Sequence, residues 1–126
     1  MRSIPSNCRI AITALSALIS LSSLLACHSY HIDATIENRT ATPITLLEVD
    51  YPSASFGADA LAANGVFHYS FQTRGSGQMS VQYTAANGHQ VQVKGPMLYE
   101  KQQGRLAITL LPDGKIEFHP SLQPQH

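Results

Sequence analysis

From residue 31 onward, apolar and polar side chains alternate with a period of two, the spacing of a strand that buries one face. In His31 to Asn38, the residues Ile32, Ala34 and Ile36 fall on one side, and His31, Asp33, Thr35 and Glu37 on the other. After a turn over Asn38 to Pro43, Ile44 to Tyr51 puts Leu47, Val49 and Tyr51 on one face. Ile44 and Leu46 make the other face partly apolar, which predicts burial on both sides near the start of that strand. Pro52 ends the run. Ser53 to Gly65 has no clear period, is scattered with Ser, Gly, Asp and Asn, and reads as a loop.

Alternation resumes in Val66 to Arg74, where Phe67, Tyr69, Phe71 and Thr73 form the strongest aromatic ladder of the chain. Arg74-Gly75-Ser76-Gly77 reads as a hairpin connection, because glycine reaches the positive φ that tight turns require. Met79, Val81 and Tyr83 mark the inner face of the next strand. A second hairpin at Ala86-Asn87-Gly88-His89 leads to Val91 and Val93. Gly95-Pro96 breaks that strand, and residues 99–104 form a polar loop. Leu106, Ile108 and Leu110 then alternate through Arg105 to Leu111, and Pro112-Asp113-Gly114-Lys115 turns into Ile116 to His119.

Short strands separated by regularly spaced turns predict an all-β domain over 31–119: an antiparallel seven-stranded β-sandwich of immunoglobulin-like shape, with a small Greek-key β-barrel as the alternative. The chain contains no tryptophan, so the Cys, Trp, Cys core of true immunoglobulin domains is missing. Residues 120–126 carry no pattern and read as a disordered tail.

Residues before 31 behave differently. Ile10 to Leu25 is an uncharged apolar run of 16 residues, five of them Ser or Thr, preceded by Arg2 and Arg9. As a helix it would span about 24 Å, short of a hydrocarbon core of roughly 30 Å, so it reads as an N-terminal signal helix over 1–26 rather than a membrane span. The run closes on Leu24-Leu25-Ala26-Cys27, which resembles the lipobox of bacterial lipoprotein precursors. The resemblance covers residues 1–27. It implies cleavage between Ala26 and Cys27, a diacylglyceryl group on Cys27 Sγ, and a lipidated N-terminus with a short spacer at 27–30. One acyl chain binds a bilayer marginally, whereas two or three hold a protein there permanently. It also implies a cell-envelope protein. His28 stands where inner-membrane retention in enterobacterial lipoproteins uses Asp, which favours the outer membrane facing the periplasm over the inner membrane.

Loss of the signal would also remove Cys8 and leave Cys27 as the only cysteine, so no disulfide is expected. From Cys27 on, six Lys and Arg stand singly against eight Asp and Glu. Such scatter lacks the clustered positive charge that phosphate backbones require, so nucleic acid is not an expected partner. It also lacks the polybasic cluster that draws proteins to anionic lipid, so the bilayer contact is assigned to acylated Cys27.

The candidate chemistry is sparse. His28 and His31 are three apart and His68, His89 and His119 lie on separate segments, so only folding could gather them into a metal site; no metal and no cofactor are assigned. Ser53-Ala54-Ser55-Phe56-Gly57 lacks the leading glycine and the following helix of a nucleophile elbow. Asn38-Arg39-Thr40 matches a glycosylation sequon, whose use needs a eukaryotic secretory route that the lipobox argues against. Phe56 and Tyr99 fall in the two least regular segments and are the candidate recognition aromatics, in loops Pro52 to Gly65 and Pro96 to Gly104. The expectation is a non-enzymatic binding or accessory module that docks an envelope protein or peptide. A small histidine-based metal-binding protein or enzyme is the alternative.

Overall fold

The computed structural model describes residues 30–125. The signal segment 1–26, the residues Ala26, Cys27 and His28, and His126 lie outside the described residues. Within them the chain forms eight strands: β1 (Ile32–Asn38), β2 (Ile44–Tyr51), β3 (Ala54–Leu61), β4 (Val66–Phe71), β5 (Gly77–Thr84), β6 (Gln90–Leu98), β7 (Gln103–Leu111) and β8 (Lys115–Gln123). They make two four-stranded sheets, ordered β4-β1-β7-β8 and β3-β2-β5-β6. The sheets face each other as a sandwich with open edges, not a closed barrel. β3 lies against β4 along one margin and β6 against β8 along the other.

The alternating positions behave as their period dictates. Ile32, Ile36, Leu106, Ile108 and Leu110 of the first sheet meet Val49, Met79 and Val81 of the second, each at most 1% exposed. Such side chains contribute roughly 1.5–3 kcal/mol each through burial, and they form one continuous core.

Four features of the fold depart from the sequence expectation. First, the strands number eight, because Ala54–Leu61 is a strand paired antiparallel to β2 rather than a loop, with Pro52 and Ser53 in the turn between them. Its small residues hide the period. Gly57 is required there, since a Cβ would collide with the Leu47 carbonyl. Second, the pairing is mixed: β1 runs antiparallel to β4 but parallel to β7. Third, β4 and β5 belong to different sheets, so Arg74-Gly75-Ser76 is a crossover between sheets and not a hairpin. Fourth, the chain past His119 is ordered: β8 continues to Gln123, and Leu122 is buried in the core. Pro120 sits on this edge strand, where its missing N–H removes no ladder bond to a further strand.

Two bulges explain where the alternation misleads. In β2, Leu46 and Leu47 together oppose Tyr83, and Leu46 takes a φ of 54°. The extra residue flips the parity, so Ile44 and Leu47 both point inward while Leu46 is left 64% exposed. This strand is therefore not buried on both sides. In β6, Gly95 and Pro96 together oppose Met79, and the strand passes through them unbroken. Gly95 leaves room for the Phe118 ring from β8: a Cβ there would stand 2.7 Å from Phe118 Cε1 and 2.9 Å from Met79 Cγ.

Candidate functional site

Phe56 is not a recognition aromatic in an exposed loop. It lies on β3, 8% exposed, with its ring stacked on Tyr69 at 4.3 Å and tilted against Phe71 at 5.4 Å. Together with Tyr51 and Phe67 these rings plug the sandwich along the β3 and β4 margin. Burial holds the Tyr51 phenol above its ordinary pKa, with Tyr69 adding to the effect. Tyr99 is half-buried in the turn between β6 and β7, where its N–H donates to Gln102 Oε1 at 3.0 Å and its carbonyl accepts from Gln102 N. Neither residue lines the clefts described below.

The histidines stay apart. His68 and His119 occupy opposite edges of the first sheet, with Thr35 and Ala107 between them in one row across the strands. Three strand spacings separate them by about 14 Å. His68 Nδ1 is 3.3 Å from Thr35 Oγ1, and His119 Nε2 is 3.5 Å from Glu117 Oε1. His89 lies in the turn between β5 and β6. Among the described residues, no three of His, Cys, Asp and Glu are grouped so as to hold a metal ion.

The arrangement that does converge is at one end of the sandwich. β1 starts at one end and finishes at the other, and the strand directions bring three turns together at that far end. These are the β1–β2 loop, the β5–β6 turn and the β7–β8 turn. Between them lies a cleft of about 620 Å³, with Thr40, Thr42, Tyr83, Asn87, His89 and Asp113 in its lining. This volume is in the range of small-molecule and peptide side-chain sites.

Each turn is held by its own sequence. Asn38, fully buried at the end of β1, organises the first. Its Nδ2 donates to the carbonyls of Thr42, Leu61 and Ala62 at 2.8, 3.1 and 3.1 Å. Its Oδ1 accepts from Thr40 N at 3.0 Å and from Thr40 Oγ1 at 2.7 Å. The Asn38 main chain is tied on both sides to the β3–β4 loop, through Gly65 O and Asn64 N. The sequon at Asn38 is thus a structural hub whose amide is enclosed and fully engaged. In the second turn, Asn87 Oδ1 accepts from His89 N at 3.0 Å, and Gly88 takes a φ of 88°. In the third, Asp113 and Gly114 take φ values of 66° and 74°. Tyr83 reaches the cleft from a position only 3% exposed, and burial raises its phenol above the ordinary tyrosine range.

The cleft offers hydroxyls, an amide, an imidazole and one carboxylate, a set suited to hydrogen bonding with a polar ligand. All three turns are legible as turns in the sequence. Their convergence is not, because it depends on the direction of every strand.

No protein-family model matches the chain, and no curated protein is similar to it at a significant level. A solved structure, the NMR structure of the protein from Eubacterium rectale, resembles it with a TM-score of 0.52 at 16% identity, covering 76% of this chain and 90% of that one. That likeness concerns the fold alone.

Proposed function

We propose that this chain is a lipid-anchored envelope protein, held to the bilayer by acylated Cys27, whose immunoglobulin-like sandwich acts as a non-enzymatic binding or accessory module. In this reading the cleft lined by Thr40, His89 and Asp113 receives a polar ligand or a segment of an envelope protein. One observation carries it. The chain leading from Cys27 joins the sandwich at the start of β1, and the cleft lies at the opposite end, beyond the seven residues of that strand. At about 3.3 Å per residue, the cleft stands roughly 23 Å from the start of β1, so a chain held at Cys27 would present it away from the membrane. Binding loops carried on a rigid scaffold are the common arrangement for such modules.

The test is site-specific photo-crosslinking in the full-length protein in its own membranes, with the reactive group at Asn87 or, as a control, at Ser55 on the outer face of β3. A discrete adduct from position 87, absent from position 55 and lost in a His89→Ala/Asp113→Asn variant, is the expected result. Equal labelling from both positions, or an adduct indifferent to the cleft variant, rules out this site.

A further inference from the structure

The opposite end of the sandwich holds a second cleft, of about 360 Å³, lined by Tyr30, Gln72, Thr73, Arg74, Glu100 and Lys101. Its loops are tied together. Glu100 Oε1 accepts from Gly75 N at 3.2 Å, Glu100 N donates to Ser76 Oγ at 3.3 Å, and Arg74 N donates to Ser53 Oγ at 3.2 Å. Next in sequence to Lys101, Gln102 is 5% exposed, and its Nε2 donates to the Pro124 carbonyl at 3.0 Å. The frame is therefore set before any ligand arrives.

Two features mark this cleft. Thr73 is 5% exposed, and its Oγ1 is buried without a hydrogen-bond partner among the described residues. Arg74 and Lys101 are both exposed, on neighbouring loops, around one opening. A phosphate group in this opening can accept from the Arg74 guanidinium and the Lys101 ammonium together, while the Thr73 hydroxyl stays enclosed behind it. Glu100 and the Tyr30 ring lie in the same lining and suit an ammonium group, the other half of a phosphoethanolamine headgroup.

Tyr30 is three positions after Cys27, so the fully extended chain places it no more than roughly 11 Å from the anchored residue. Resting on the reading that Cys27 is acylated, we propose that the cleft between Arg74 and Lys101 seats the phosphate of a phospholipid headgroup and stands the domain upright on the bilayer. The charge distribution agrees. The far end carries Glu37, Asp59, Asp113 and Glu117 against Arg39 and Lys115, an acidic excess that an anionic surface repels. The near end balances Arg74, Lys101 and Arg105 with Asp33, Asp50 and Glu100. Such a site needs little intrinsic affinity, because the tether keeps headgroups at high local concentration.

The test uses the full-length protein purified from membranes in detergent, with intact mass reporting Cys27 acylation in the same sample. Amide resonances are followed during titration with glycerophosphoethanolamine, and separately with inorganic phosphate. Saturable shifts at Thr73, Arg74 and Lys101, with none at Asn87 or Asp113, are expected. An Arg74→Gln/Lys101→Gln variant should weaken the response by about tenfold or more. Absence of shifts at this end, an equal response to inorganic phosphate, or shifts that survive the double variant would each overturn the headgroup site. An unmodified Cys27 overturns the anchor instead, and it leaves the titration to decide the cleft by itself.

Discussion

The hydroxyl of Thr40 donates to Asn38 Oδ1 at 2.7 Å, and the same oxygen accepts from the Thr40 amide, so two residues apart in sequence close a turn around a fully buried side chain. The other end of the Asn38 amide faces three main-chain carbonyls. Asn38→Ala leaves these acceptors and the Thr40 donors unmatched in a closed space. Since a single orphaned buried group costs about 1–3 kcal/mol, a loss of at least about 3 kcal/mol in urea unfolding is expected. Asn38→Asp should be comparably damaging at neutral pH, because it points a carboxylate at carbonyl oxygens. Thr40→Ala should cost less, about 1 kcal/mol, since main-chain donation to Asn38 survives.

The stack of Phe56 on Tyr69 joins the two sheets at their margin. Phe56→Ala should destabilise by about 3–5 kcal/mol as a large core truncation. Tyr69, 42% exposed, should cost less on truncation to Ala. A double-mutant cycle between them should return a coupling of about 0.5–1.5 kcal/mol. Strict additivity would mean that the rings do not meet.

Gly95→Ala pushes a methyl group into the Phe118 ring and Met79. Overpacking of this kind costs about 1–3 kcal/mol. The measurement that isolates the cause is the same substitution in a Phe118→Leu background, where chemical denaturation should show a smaller loss. An equal loss in both backgrounds would place the strain in the bulge backbone instead.

Asp50 lies on the outer face of β2, two residues from Glu48, and its pKa is raised by partial burial first and by the Glu48 charge second, with Ser80 opposing. A carboxyl raised in the folded state is at its most favourable when protonated. Its contribution is therefore fully present below the ordinary carboxylate range and lost as pH rises through the folded value. Asp50→Asn should stabilise the protein at pH 7 by a few tenths of a kcal/mol, the scale of exposed charge effects. That gain should vanish near pH 3, where both forms are neutral. Thermal melts at the two pH values decide it, and a gain that persists in acid would point to the amide's own hydrogen bonding.

The inward sets Ile32, Ala34 and Ile36, Met79, Val81 and Tyr83, and Leu106, Ile108 and Leu110 were legible because a period of two survives wherever a strand runs straight. It fails at Leu46 and at Gly95-Pro96, where a bulge shifts the parity in response to partners that local sequence does not name. β3 escaped because Ala, Ser, Gly and Asp carry little strand preference; its place is held by pairing to β2 and by Phe56 alone on the aromatic side. Arg74 to Gly77 looked like a hairpin because a short glycine link reads the same whether the next strand pairs beside the last or crosses to the facing sheet. The parallel alignment of β1 with β7 joins segments some 70 residues apart and has no local signature. For the far cleft, Thr40, His89 and Asp113 each sat in a recognised turn, and only the topology makes them neighbours.

Whether the sandwich hangs from a lipid on Cys27 is decided by intact mass and tandem fragmentation of the protein extracted from its own membranes. The expected chain begins at Cys27, lacks residues 1–26, and carries a diacylglyceryl group on that sulfur. A membrane-extracted chain that keeps residues 1–26, or begins at Cys27 with a free thiol, would overturn the anchor.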